Sequence, residues 1–140
     1  MAKIEKDDVR DAYMDVRSDS TDTNWALFGY EGDVIKVTTK GVDFEEISPL
    51  LTDEDRAFVF LRVISGDELS KRTKFVLITW CGNSVSPLKR ARISADKTVV
   101  KSVVESIACE FMFSEKSELN LSHITEDVKK AGGANYGTGS

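Results

Sequence analysis

Histidine, cysteine, serine beside a base, and paired carboxylates carry most covalent and metal chemistry, and this chain uses them sparsely. His123 is the single histidine, so a metal site or a histidine-assisted nucleophile would rest on it alone. Cys81 and Cys109 form neither a CxxC pair nor any zinc spacing, and read as two reduced thiols in or near the core. Ser84 and Ser86 stand beside a turn with no local base. Asp53, Glu54 and Asp55 lack the ligand spacing and the glycine of a calcium loop. The glycines are scattered and none stands in a GxxxxGK or GxGxxG phosphate loop. No carboxylate pair is isolated in an apolar setting that would shift a pKa toward catalysis. The sequence predicts a protein that is not an enzyme and needs neither cofactor nor metal.

What the chain does concentrate is positive charge. Lys71, Arg72 and Lys74 form one cluster. Lys89, Arg90 and Arg92, with Lys97 and Lys101 further on, form a second, and Lys129 and Lys130 a third. With 19 basic against 24 acidic residues the net charge is −5, which argues against general nucleic-acid binding, a process dominated by phosphate neutralisation. Local basic patches remain compatible with that balance. The clusters predict a module that binds an acidic protein surface; phosphoinositide headgroups are the alternative ligand for the same charges. A blander origin also exists for some of them. Lysines on an exposed helix face keep it solvated, and Lys129 and Lys130 suit the negative end of a helix.

The elements that must position these charges follow from periodicity. A length of 140 residues with 41% apolar and 31% charged side chains fits one soluble globular domain, expected over 1–131 with a disordered tail at 132–140. No uncharged apolar run is long enough for a membrane span, and the charged opening MAKIEKDDVR predicts an intracellular, cytoplasmic protein. Val9, Ala12, Tyr13 and Val16 share one helical face within 4–17. Residues 24–30 and 34–40 read as a hairpin about the turn Glu31-Gly32-Asp33. Phe44, Ile47 and Leu51 suggest a short helix over 43–51, interrupted by Pro49. Arg56–Ser65 and 75–80 are apolar on both alternating sets and predict central strands, joined through 66–73. Such strands need cover on both faces, which predicts an α/β sandwich: a central mixed sheet between helices on both sides. The spacing of Ile93, Val100, Val104 and Ile107 predicts a helix over 87–108. Arg90, Lys97 and Lys101 fall in one stripe beside its apolar face, while Lys89 and Arg92 point elsewhere. Residues 109–113 read as a last strand and 117–131 as a last helix ended by Gly132-Gly133. Because the basic clusters bracket a strand that leads directly into the helix, they are expected to share one edge of the molecule.

In combination, the stretches SGDELSKRTKFVLITW (65–80), DKTVVK (96–101) and KKAGGANYG (129–137) resemble the actin-depolymerising-factor homology family, and within it the coactosin branch. The resemblance covers nearly the whole chain. It implies a mixed sheet of about five to six strands with helices on both faces. It also implies a partner, filamentous actin, and a role in cytoskeleton dynamics. In the wider family the partner is met by basic residues entering the Trp strand, by the first half of the long helix, and by parts of the N-terminus and last helix. Lys71 and Arg72 match the basic pair. Lys74 departs from the cofilin branch, where an acidic residue is usual, and agrees with the coactosin branch. Lys89 matches the basic position just inside the long helix, and Arg90 and Arg92 keep its charge. ARISAD (91–96) stands where cofilins carry a methionine–aromatic pattern, which implies filament binding without severing. Lys129 and Lys130, separate in sequence, suggest a second partner site. A domain of this fold that binds another protein instead of actin is the remaining alternative. Nothing in the pattern suggests oligomerisation, so a monomer is expected.

Overall fold

The computed structural model describes residues 2–66 and 71–137, and its centre is the strand pair expected from the two doubly apolar runs. Arg56–Ser65 (β4) and Arg72–Cys81 (β5) are antiparallel, in register from Arg56 opposite Cys81 to Ser65 opposite Arg72. Trp25–Glu31 (β2) flanks β4, followed outward by Val34–Gly41 (β3) and the two-residue Lys3–Ile4 (β1). Cys109–Phe113 (β6) lies parallel to β5 and closes the other side, giving the order β1-β3-β2-β4-β5-β6. Gly32 turns β2 into β3 at φ +64°, a left-handed conformation that glycine adopts without a Cβ clash. The linker at 67–70 lies outside the described residues.

Strand alternation sends side chains to two separate cores. Phe58, Phe60 and Leu77 face Lys6–Arg17 (α1), which lays Val9, Ala12, Tyr13 and Val16 on them, and Pro87–Lys101 (α2), which adds Ile93 and Val100. Val59, Leu61, Val63, Val76, Ile78 and Trp80 face the other way, under Ile124 and Val128 of Leu121–Gly137 (α3) and under Ile47 and Leu51. Each fully buried Phe, Leu or Ile contributes about 1.5–3 kcal/mol, so these two layers hold the fold. Both buried indoles find acceptors: Trp25 donates to the Asp43 carbonyl at 2.9 Å and Trp80 to that of Thr52 at 2.8 Å. This is the predicted sandwich. Among the described residues, no helix is long and apolar enough to cross a membrane.

Several boundaries differ from expectation. Helix α1 starts at Lys6, not at 4: Ile4, with Lys3, pairs with β3. The segment 43–51 folds as two short 3-10 turns, Phe44–Glu46 and Ser48–Leu50, with Pro49 in the second. Helix α2 stops at Lys101, not at 108. The β-branched run Val99, Val100, Val103 and Val104 is a weak helix former, and β6 must be reached beside β5. The last turn tightens as the Ser102 amide reaches both Thr98 and Val99, Ser106 takes φ 60°, and Val104 and Ile107 pack from the connection instead of from the helix. Helix α3 starts four residues late, where the Asn120 side chain accepts from the His123 amide at 3.0 Å. It runs through Gly132-Gly133 to Gly137, so the tail expected from 132 begins in helical backbone; residues 138–140 lie outside the described residues.

Candidate functional site

Register sets the character of the β5 entrance. β4 pairs with β5 along its whole length, but β6 begins opposite Val76. Arg72, Thr73 and Lys74 therefore overhang β6, with one strand edge open. The Phe75 carbonyl accepts from the Ala108 amide at 2.8 Å, so odd-numbered β5 residues turn their backbone groups toward β6. Thr73, two residues earlier, presents its N–H and C=O to the open edge. By the same alternation Arg72 and Lys74 project with Val76 and Ile78 toward the α3 face. Lys71 and Arg72 are exposed and Lys74 is half-buried.

The helix cluster lies elsewhere. Ser86 caps α2 and Pro87 opens it, just past the end of β5. Arg72 and Lys74 thus stand about 20–30 Å of strand away from Lys89, Arg90 and Arg92, at opposite ends of β5 and on opposite faces of the sheet, with Lys71 just ahead of the strand. The expectation of one shared edge is corrected: a ten-residue strand separates its own two ends too far. Gly82, in the turn between them, lets the backbone of Asp53 approach; a Cβ there would sit 2.1 Å from the Asp53 carbonyl oxygen. Arg90 ties this turn to the helix, its Nη2 donating to the Gly82 carbonyl at 2.8 Å, so it positions the helix start. Lys89 and Arg92 are exposed at that end. Lys97 and Lys101 do not stand free in solvent. Both pair with Glu110 of β6, at 3.1 and 2.5 Å, and the hydrogen bond from Lys101, reinforced by Lys97, holds the Glu110 carboxyl below its ordinary range. Lys129 and Lys130 are exposed on α3, the helix that covers the face toward which Lys74 projects.

Two features escaped sequence reasoning. Asp96, read only as part of ARISAD, is 2% exposed. Its carboxylate accepts from the Ala2 amide at 2.9 Å and the Tyr30 hydroxyl at 2.6 Å, and pairs with Arg56 at 3.5 Å. The Arg56 guanidinium sits 3.9 Å from the Tyr30 ring centroid. Burial, then the hydrogen bond to Asp96, pushes the Tyr30 phenol far above its ordinary value. The signal was present: Asp96 stands three residues after Ile93 and four before Val100, on the apolar face of the helix. The second feature is Arg17, at the end of α1, stacked on Phe75 beside the β5 overhang.

Residues 1–129 match the model of the family described as cofilin/tropomyosin-type actin-binding protein. The coactosin-like protein of Bos taurus is 46% identical over 134 residues, covering 96% of this chain and 94% of that protein. A crystal structure of human coactosin-like protein superposes with a TM-score of 0.89 at 42% identity, covering 93% of this chain and 99% of the other. The solution structure of mouse coactosin, an actin filament binding protein, gives a TM-score of 0.80 at 45% identity over 99% and 98% of the two chains. Sheet order, helical cover and near full-length identity agree, and the chain belongs to the cofilin/tropomyosin-type actin-binding family, with coactosin-like proteins among its near relatives.

Proposed function

We propose that this protein binds along actin filaments as a monomer, through the basic overhang of β5, and modulates the cytoskeleton without severing. The observation that carries the reading is the overhang itself. Lys71, Arg72 and Lys74 sit on a strand end that β6 leaves uncovered, so their charge and an unpaired strand edge are offered together. Similarity to mouse coactosin supports the choice of filament. Lys89 and Arg92 form a separate, secondary contact at the other end of β5. Arg90 holds the helix start for them, and Lys97 and Lys101 add to the field while paired with Glu110.

Exposed cations contribute about 0.2–1 kcal/mol each, whereas truncating a desolvated, paired one costs about 2–5 kcal/mol. Half-buried Lys74 is the residue of the three placed to be desolvated. In filament co-sedimentation Lys74→Ala is expected to lose at least about 2 kcal/mol of binding, Lys71→Ala and Arg72→Ala less. Wild-type binding falls with salt, because the screening length shrinks to about 10 Å at 0.1 M. Wild-type protein remaining in the supernatant at low salt refutes the filament reading; Lys74→Ala pelleting like wild type refutes the site.

A further inference from the structure

Among the described residues, Arg17 is a cation with no anion beside it. Its guanidinium carbon lies 4.8 Å from the Phe75 ring centroid and 5.7 Å from that of Tyr13. Its Nη1 is sealed from solvent with no acceptor, and it takes part in no ion pair among the described residues. Arg62, 5.8 Å from the same Phe75 centroid, shows the contrast. That guanidinium donates to the Val16 carbonyl at 3.1 Å, caps the end of α1 through Arg17 and Ser18 carbonyls, and pairs with Asp19. The neighbouring arginine is satisfied; among the described residues Arg17 is held by ring faces alone.

Beside Arg17 opens a cleft of about 330 Å³, bordered by Thr73, Lys74, Phe75 and the connection 106–108. Among the described residues, two cations border it and no acid does. Its rim is the open edge of β5, where Thr73 turns its backbone groups outward. We propose that this cleft seats a carboxylate side chain of the actin filament, received by Arg17 with Lys74 at the rim. The inference rests on the filament reading and extends that surface across the strand edge onto the α1 face. Arginine's fork suits a carboxylate, and ring stacking has already oriented it. A protein partner fits better than a lipid headgroup because the two cations straddle the sheet edge, Lys74 projecting on one face and Arg17 packing on the other. A flat membrane would need them on one plane.

The test compares wild type, Arg17→Ala and Arg17→Met, which keeps the apolar stem on Phe75 and Tyr13, in two assays: filament co-sedimentation over a salt series, and flotation with phosphatidylcholine vesicles containing phosphatidylinositol bisphosphate. Thermal melts confirm folding. The expected result is filament binding about tenfold weaker in Arg17→Met, with a shallower salt dependence and a melting point near wild type. Arg17→Lys, keeping charge without the fork, falls between. Wild type that pellets alongside an Arg17→Met that pellets equally well overturns this inference and leaves the filament reading standing. Wild type that does not pellet overturns both. Loss of vesicle flotation with filament binding unchanged assigns the cleft to lipid phosphate and overturns the carboxylate.

Discussion

Asp96 and Arg56 are a buried pair, 2% and 12% exposed at their side chains, with the Tyr30 hydroxyl and the Ala2 amide also donating to the carboxylate. The four groups come from α2, β4, β2 and the chain start, so one side chain fastens the long helix, which carries Lys89 and Arg92, to the end of the sheet. A buried pair of this kind adds little net stability over apolar packing, but removing one partner strands the other charge. Asp96→Ala is expected to cost about 3–5 kcal/mol in urea denaturation, and Tyr30→Phe, which removes one hydrogen bond, about 1–2 kcal/mol. Equal, small losses in both variants would show that Arg56 finds water on its own. Lys74 was singled out in the sequence by a resemblance, since a lysine at that point before the Trp strand agrees with the coactosin branch and departs from the cofilin branch. Asp96 was hidden because it entered only as part of ARISAD, and not through the buried helical face it shares with Ile93 and Val100.

At the scale of elements, β6 decides which lysines are available. By pairing with β5 only from Val76 onward it leaves the β5 entrance open, and by placing Glu110 beneath α2 it engages Lys97 and Lys101. Glu110→Gln frees both. If those lysines touch the filament, binding strengthens a few-fold at low salt; unchanged binding removes them from the interface. The same variant has a pH signature. The folded-state pKa of Glu110 lies below its ordinary value of 4.5, so its stabilisation is present above that value and is lost as pH falls through the folded pKa. The stability gap between wild type and Glu110→Gln, about 0.2–1 kcal/mol per pair near neutrality, therefore closes on acidification. Neither the pairing nor the cut end of α2 was legible from sequence. Helical spacing continued past Lys101 through Val104 and Ile107; Val104 is buried and Ile107 partly so, but from a connection that tertiary geometry required. Local periodicity records burial faithfully and cannot tell a helix face from a loop lying on the same core.

At the scale of the whole molecule, the sandwich was readable because its two central strands are apolar on both alternating sets, and helices α1 and α3 carry apolar stripes that fit them. Distances were not readable. Clusters adjacent in sequence stand at opposite ends of β5, and Lys129 and Lys130, distant in sequence, belong to the helix on the face toward which Lys74 projects. Proximity along the chain overstated one relation and concealed the other, since a strand converts ten residues into about 30 Å while a sheet brings remote helices onto one face.

The uncovered β5 entrance has a cost that the three cations also manage. An unpaired strand edge is a template for a second copy of itself, and lysine or arginine at such an edge repels an identical partner. On the proposed reading Lys71, Arg72 and Lys74 would be gatekeepers as well as ligands, and occupancy on a filament would shield the edge they guard. The combined variant Lys71→Ser, Arg72→Ser, Lys74→Ser is expected to scatter light earlier and more steeply than wild type on slow heating at low salt, with a melting point near wild type. Scattering indistinguishable from wild type would show that the edge is protected by shape alone. Under that proposal, tightening the strand end's grip on a partner and keeping free molecules apart would call for the same charges.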